Sequence, residues 1–184
     1  MNGFYIAIGK QGSGKTLLIT KLAYENHQGK RDVYANYTLS KIPFTPIDLL
    51  KHYRGDGIER KNILDMLDED PNCFNDSIVL LDEIHIYFDS LDFMRRESRR
   101  MQIFFSQLRK RNILLLATTQ YIMNLDVRIR RQCSNVFEME HVYKDLFTVT
   151  THEIDGYFTK EIGKYNIVLS EYYSHYNTNE VITS

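Results

Sequence analysis

The spacing of apolar positions changes along the chain so as to mark out alternating strands and helices. Phe4-Tyr5-Ile6-Ala7-Ile8 is a β-rich apolar run, and after a glycine-rich stretch residues 16–23 carry apolar side chains at helical spacing. The pair predicts strand, turn, helix. Residues 33–37 predict a second short strand, and Thr45-Pro46 supplies an N-cap and a first-turn proline for a helix over 47–53, broken at 55–57 by glycines. Residues 60–70 read as a helix with an acidic end, stopped by Pro71-Asn72. Ser77-Ile78-Val79-Leu80-Leu81 is continuously apolar, as a parallel strand covered on both faces requires, and it ends in Asp82-Glu83.

From residue 90 to 111 the spacing turns helical. Met94, Met101, Phe104, Phe105 and Leu108 form one apolar stripe, with Arg95, Arg96, Arg99 and Arg100 on other faces. Residues 113–118 predict another buried strand, ending in Thr119-Gln120. Residues 134–155 alternate around a turn at Lys144-Asp145, and 165–169 predict a late strand. The expected fold class is α/β: a mainly parallel sheet flanked by helices, with antiparallel strands added towards the C-terminus.

At 184 residues the chain fits one domain, 1–184, and its 43% hydrophobic content is enough for a core, which excludes disorder as the main state. The 23 basic and 24 acidic side chains leave a net charge of −1, so attraction to nucleic acid must come from local clusters. Cys73 and Cys133 stand alone, without metal-site spacing or a disulfide framework, which suits a reducing compartment and a cytoplasmic setting. The longest apolar stretches, 113–117 and 78–81, fall far short of the ~20 residues of a membrane-spanning helix.

Gly9-Lys10-Gln11-Gly12-Ser13-Gly14-Lys15-Thr16 matches G-x-x-x-x-G-K-[ST] in full, between a predicted strand and a predicted helix. Glycines let the backbone turn its N–H groups inward around phosphate oxygens, and the helix start adds unpaired donors and a positive dipole end. Gly9, Lys10, Gln11, Gly12, Ser13, Gly14, Lys15, Thr16 and Leu17 are the expected ATP-binding stretch, with Lys15 reaching the β- and γ-phosphates. The Thr16 hydroxyl is the first expected ligand of Mg²⁺, which favours hard oxygens.

Asp82 and Glu83 follow a buried strand and point in different directions, so Asp82 is read as the second metal-side residue and Glu83 as the group that polarises the attacking water. The phosphate-loop strand and this one are expected to be neighbours whose C-terminal ends form one crevice. Gln120, ending the next apolar strand, offers a donor and an acceptor to the γ-phosphate or the water, with Thr119 in support. His85 is left outside the core site, because loop histidines are more often structural.

Neither N-K-x-D nor D-x-x-G after the metal strand occurs, against a guanine-specific switch. The acid pair favours hydrolysis over transfer to a bound acceptor, against a kinase. A strand-like, tyrosine-rich C-terminal part argues against an AAA-type ATPase, which adds a helical lid.

Three segments carry a family resemblance: residues 9–16, Ile78-Val79-Leu80-Leu81-Asp82-Glu83, and residues 108–120 followed by Ile129-Arg130-Arg131. Through them the chain resembles the FtsK–HerA superfamily, especially compact viral genome-packaging ATPases and the ATPase domain of Zot-like proteins. The resemblance implies a RecA-like P-loop ATPase, Mg-ATP hydrolysis, a homo-oligomeric ring and translocation of double-stranded DNA. Val33-Tyr34-Ala35-Asn36 is similar to Zot-like proteins of filamentous phages, which usually continue into a membrane-spanning segment not read here. Tyr176-Asn177-Thr178-Asn179-Glu180 looks like the tail of packaging ATPases.

The expected function is a motor that packages double-stranded viral DNA into a capsid, with the procapsid vertex as partner and the host cytoplasm as setting. The alternatives are a Zot-like ATPase for filamentous virion assembly and extrusion, and a nucleotide-binding switch or scaffold with little turnover. Arg109 and Arg111, just before the strand that ends in Gln120, belong to its N-terminal edge. The resemblance makes Arg109 the first choice, and Arg111 the second, for a finger reaching a neighbouring subunit's γ-phosphate. Arg128, Arg130 and Arg131 are candidates for sensing or for a neighbour contact. The arginines at 95, 96, 99 and 100 read equally as a DNA-phosphate track or as a solvated face paired with Asp89 and Asp92.

Overall fold

The computed structural model describes residues 1–27, 29–48, 59–88, 96–155 and 159–176. In chain order the regular elements are β1 (Gly3–Ile8), α1 (Lys15–His27), β2 (Val33–Ala35), β3 (Thr45–Asp48), β4 (Lys61–Asn62), α2 (Ile63–Glu69), β5 (Ile78–Leu81), α3 (Arg96–Gln107), β6 (Leu114–Thr119), α4 (Val127–Arg130), β7 (Cys133–Tyr143), β8 (Leu146–Ile154) and β9 (Thr159–Val168). Among the described residues the strands form one sheet in the order β4-β3-β2-β5-β6-β1-β7-β8-β9. The pairs from β4 through β7 are parallel, and β7-β8-β9 are antiparallel.

The continuous apolar runs are explained by burial on both faces. Val79 and Leu81 point into one core with Phe4, Ile6, Leu115, Phe104 and Phe105, while Ile78 and Leu80 point into the other with Ala7, Leu17, Leu18 and Leu116. Met101, Phe104, Phe105 and Leu108 are buried, as the helical stripe predicts; Met94 lies outside the described residues. The hairpin turn falls at Lys144-Asp145, between β7 and β8, also as predicted.

Three expectations are corrected. Residues 45–48 form a strand, not the start of a helix: Tyr34 and Ala35 pair with Thr45 and Pro46, and Ile47 and Asp48 pair with Lys61 and Asn62. The clash that proline imposes on the residue before it drives Thr45 extended, and Ile47 is fully buried in that conformation. The remainder of the predicted 47–53 helix and its glycine break lie outside the described residues. The helix predicted from residue 60 starts at Ile63, because Asn62 Oδ1 accepts from the N–H groups of Leu64 (2.9 Å) and Asp65 (3.3 Å) and caps it. Finally, β1 and β5 are not neighbours, since β6 lies between them and pairs with both. Strand order is a property of long-range packing and has no local signal.

Candidate functional site

The loop after β1 is threaded through a space only glycine fits. A Cβ on Gly9 would lie 2.5 Å from the Met139 carbonyl oxygen, and one on Gly14 2.8 Å from the Phe147 ring. Both glycines also have positive φ, +142° and +86°. The Gly9 N–H donates to the Gln120 carbonyl (3.3 Å), the Ser13 N–H to Lys10 (3.2 Å), and the Leu18 N–H to Gly14 (2.9 Å), which closes the first turn of α1. Lys15 is buried, with its ammonium folded back over the loop onto the Lys10 carbonyl at 3.0 Å. Ser13 Oγ is buried and makes no hydrogen bond. A glycine-lined cradle, a buried ammonium and an unpartnered hydroxyl fit a phosphate-bearing ligand.

Opposite the loop, Asp82 is clamped from three elements. The Thr16 hydroxyl of α1 donates to its Oδ1 at 2.9 Å, and the Thr118 hydroxyl of β6 donates to the same oxygen at 2.5 Å. The Asn36 amide, following β2, donates to the Asp82 carbonyl (2.9 Å) and accepts from the Asp82 N–H (2.7 Å). Burial pushes the Asp82 carboxyl up, opposed by the two hydroxyl bonds and the Lys15 charge. Thr16 Oγ1 and Asp82 Oδ1 form a pair of hard oxygens, the donor set Mg²⁺ takes when it keeps most of its water shell.

Glu83 sits in the left-handed region at φ +51°, and Thr118 Oγ1 accepts its N–H at 2.9 Å. The turn separates its side chain from that of Asp82. Its Oε2 is buried without a hydrogen bond, and lies 3.2 Å from His85 Nδ1, which in turn meets the Thr119 hydroxyl at 3.3 Å. Burial, and then the neighbouring Asp82, push the Glu83 carboxyl up, opposed by His85 and Lys15. A carboxylate that lines the cleft with raised proton affinity can take a proton from a water placed before it.

A cleft of about 450 Å³ joins the two halves: Gln11, Gly12, Gly14, Lys15, Thr16 and Leu17 line it together with Asp82 and Glu83. The Leu17 side chain is buried in the core. Gly9, Lys10, Ser13 and Gln120 line a second cleft of about 820 Å³, which shares Gln11, Gly12 and His141 with the first. Gln120 follows β6, the strand between β5 and β1, and lines this second cleft and not the first; its side chain is exposed, and it holds the loop through its backbone carbonyl.

The arginines are not brought to this site. Arg109 Nη2 donates to Ser134 Oγ (3.0 Å) at the N-terminal edge of the sheet, and Arg111 Nε to Asn75 Oδ1 (2.8 Å), with its guanidinium over Phe104. Arg128 pairs with Asp126, Arg130 is buried against the Leu125 carbonyl and Met123, and Arg131 is exposed. Of the four helical arginines, Arg99 is exposed and Arg100 pairs with Asp68, while Arg95, Asp89 and Asp92 lie outside the described residues. Cys73 and Cys133 are free.

Sequence reasoning missed Asn36 and Thr118 as clamps on the acids, although each is a polar residue ending an apolar strand, the signal that singled out Asp82. It also missed Tyr37, His141, Phe147, Tyr173 and Tyr176, which line the cleft from distant segments and carry no local signal.

Residues 5–141 match the family model of the ATPase family associated with various cellular activities (AAA). The match overturns the expectation that the chain stands outside that family. The likeness lies in the core, whereas the argument from a missing lid concerned later residues; there β8, β9 and a short 3-10 turn at Ser170–His175 follow. No curated protein matches the chain in sequence. Among solved structures, the N-terminal domain of zonular occludens toxin from Neisseria meningitidis is similar at a TM-score of 0.68 and 19% identity, over 96% of this chain and 100% of that one. The genome packaging NTPase B204 of Sulfolobus turreted icosahedral virus 2, in complex with ATP-gammaS, is similar at 0.56 and 11%, over 86% and 96%. The DNA-packaging ATPase B204 of Sulfolobus turreted icosahedral virus follows at 0.56 and 13%, over 88% and 98%. These likenesses show the fold, that of a P-loop ATPase, and they fall in the two groups named by the sequence resemblance.

Proposed function

The chain belongs to the ATPase family associated with various cellular activities, and from that membership we propose that it hydrolyses ATP in the cleft between the phosphate loop and Asp82-Glu83. The observation that carries the reading is the convergence of Lys15, Thr16, Asp82 and Glu83 on one cleft from two segments far apart in the chain, the start of α1 and the turn after β5. Loop N–H groups and Lys15 bind and orient the phosphates. Thr16 and Asp82 would hold Mg²⁺, which when bound neutralises charge on the phosphate oxygens. Glu83, whose Oε2 has no hydrogen bond, orients the water in line with the leaving group and takes its proton. Thr118 fixes both acids at once, and Asn36 fixes the backbone between them.

The work we assign to the cycle is movement of double-stranded viral DNA into a capsid, by a ring of these chains in the host cytoplasm, with residues 1–184 acting as a single domain. The likeness to the packaging NTPases supports this. A role in virion assembly and extrusion is the second reading, favoured by the TM-score and full coverage of the zonular occludens toxin domain. Among the described residues no helix is long and apolar enough to cross a membrane. Steady-state phosphate release, with and without linear duplex DNA and with the oligomer mass measured in the same buffer, tests the proposal. Stimulation by DNA in an oligomer supports packaging, turnover indifferent to DNA favours the second reading, and no turnover above that of Glu83→Gln refutes the ATPase.

A further inference from the structure

The cleft has an end that the phosphates do not use. In the sheet order β5-β6-β1-β7-β8 the loop after β1 stands between the acid pair at the end of β5 and a set of rings on β7 and β8. A nucleotide whose terminal phosphate faces Asp82 and Glu83 therefore directs its base towards those rings. Phe147 of β8, buried against Gly14, floors this end; His141 of β7 lies 5.1 Å from it, centroid to centroid; and Tyr173, 42% exposed, lines the same cleft from the C-terminal 3-10 turn.

The polar tips of the two exposed rings are already engaged. His141 Nε2 meets the Lys144 carbonyl at 2.7 Å, and the Tyr173 hydroxyl faces the Asp145 carboxylate, so both rings stand against the β7–β8 turn. That leaves faces for stacking and, from these three side chains, one ring nitrogen; of the other polar side chains lining the cleft, the Tyr37 hydroxyl is bonded to Thr20 (2.9 Å), Tyr176 stands beside Asp82, and Gln11 is exposed. Adenine and guanine differ in the donor and acceptor at their edges and not in their stacking faces. One neutral hydrogen bond separates two ligands by about tenfold at most, whereas strong discrimination requires several buried polar groups that the wrong ligand leaves unpaired.

We propose that His141, Phe147 and Tyr173 form the base-binding slot of this site and hold the base chiefly by its stacking faces, so that the chain takes purine nucleoside triphosphates and distinguishes ATP from GTP by less than about tenfold. The inference rests on the nucleotide reading above and adds to it the class of substrate.

Equilibrium binding of ATP, GTP and inorganic tripolyphosphate, measured by calorimetry on the wild-type chain and on His141→Ala, Tyr173→Ala and Lys15→Ala, tests it. Both ring variants are at exposed positions, which avoids the core disruption expected of Phe147→Ala. Wild type should bind the two purine nucleotides within about tenfold of each other. Each ring variant should weaken both by about tenfold and leave tripolyphosphate unchanged, because tripolyphosphate has no base to stack. Lys15→Ala should weaken all three. A wider gap between ATP and GTP, unchanged nucleotide affinity in the ring variants, or an equal loss for tripolyphosphate would overturn the slot while a Lys15 effect leaves the phosphate site standing. If Lys15→Ala changes none of the three, the phosphate site itself falls, and the slot with it.

Discussion

Thr118 is the residue on which both acids of the cleft depend. Its hydroxyl donates to Asp82 Oδ1 and accepts from the Glu83 N–H, and the side chain is fully buried in β6. Thr118→Val keeps the shape and the strand preference but removes the hydroxyl. A hydrogen bond to a charged group contributes roughly 1.5–3 kcal/mol, and leaving a partly buried N–H unsatisfied costs about 1 kcal/mol more, so the expected loss is about 3 kcal/mol. For a chain of this size that lowers the melting temperature by about 6–12 °C.

The loss should also reach the chemistry. Glu83 holds a left-handed backbone that persists only while its surroundings enforce it, so its release should lower kcat by an order of magnitude or more, with a smaller change in KM. Urea denaturation followed by circular dichroism gives the stability change, read as a shift of midpoint at constant slope. Phosphate release gives the kinetics. Thr118→Ser, which keeps the hydroxyl, should retain most of the turnover. A Thr118→Val protein within about 0.5 kcal/mol of wild type at full kcat would refute the clamp.

Lys15→Ala should abolish hydrolysis and weaken ATP binding, since the phosphates lose their buried cation, as calorimetry and phosphate release will show. Glu83→Gln should keep ATP bound while hydrolysis collapses, because Thr16 and Asp82 are untouched; lost binding with normal turnover would mean that the two acids are misassigned. The same variant has a stability signature. Burial raises the Glu83 carboxyl above its ordinary 4.5, so folding favours the protonated form and the wild-type chain loses stability as pH rises through that window. Glu83→Gln should therefore melt higher than wild type at pH 7 without nucleotide, and the difference should vanish below about pH 4. For Arg109, mixing Lys15→Ala with Arg109→Ala chains, each inactive alone, should restore part of the activity if the arginine serves a neighbour's site. Verified mixed assemblies with no recovery would remove it from that role.

The residues assigned to the phosphates are legible in the chain because their requirements are local. Three glycines with positive φ, a lysine and a threonine at a strand-to-helix turn can be read from eight consecutive letters, and the continuous runs at 78–81 and 114–117 announce strands buried on both faces. Asp82 and Glu83 were legible for the same reason, as charges ending such a run. Pro46 shows where local reading fails, since its fixed φ fits both a helix start and a strand, and only the pairing with Ala35 decides. The placement of Gln120 in the second cleft, the insertion of β6 between β1 and β5, the clamps from Asn36 and Thr118, and the rings brought in by β7, β8 and residues 170–176 were decided by tertiary structure alone. The shape of the loop after β1 is written into backbone dihedrals that neighbouring residues determine. The supports of the acids and the far wall of the cleft come from contacts between segments 35 to 137 positions apart, whose order the sheet settles when it buries both of its faces.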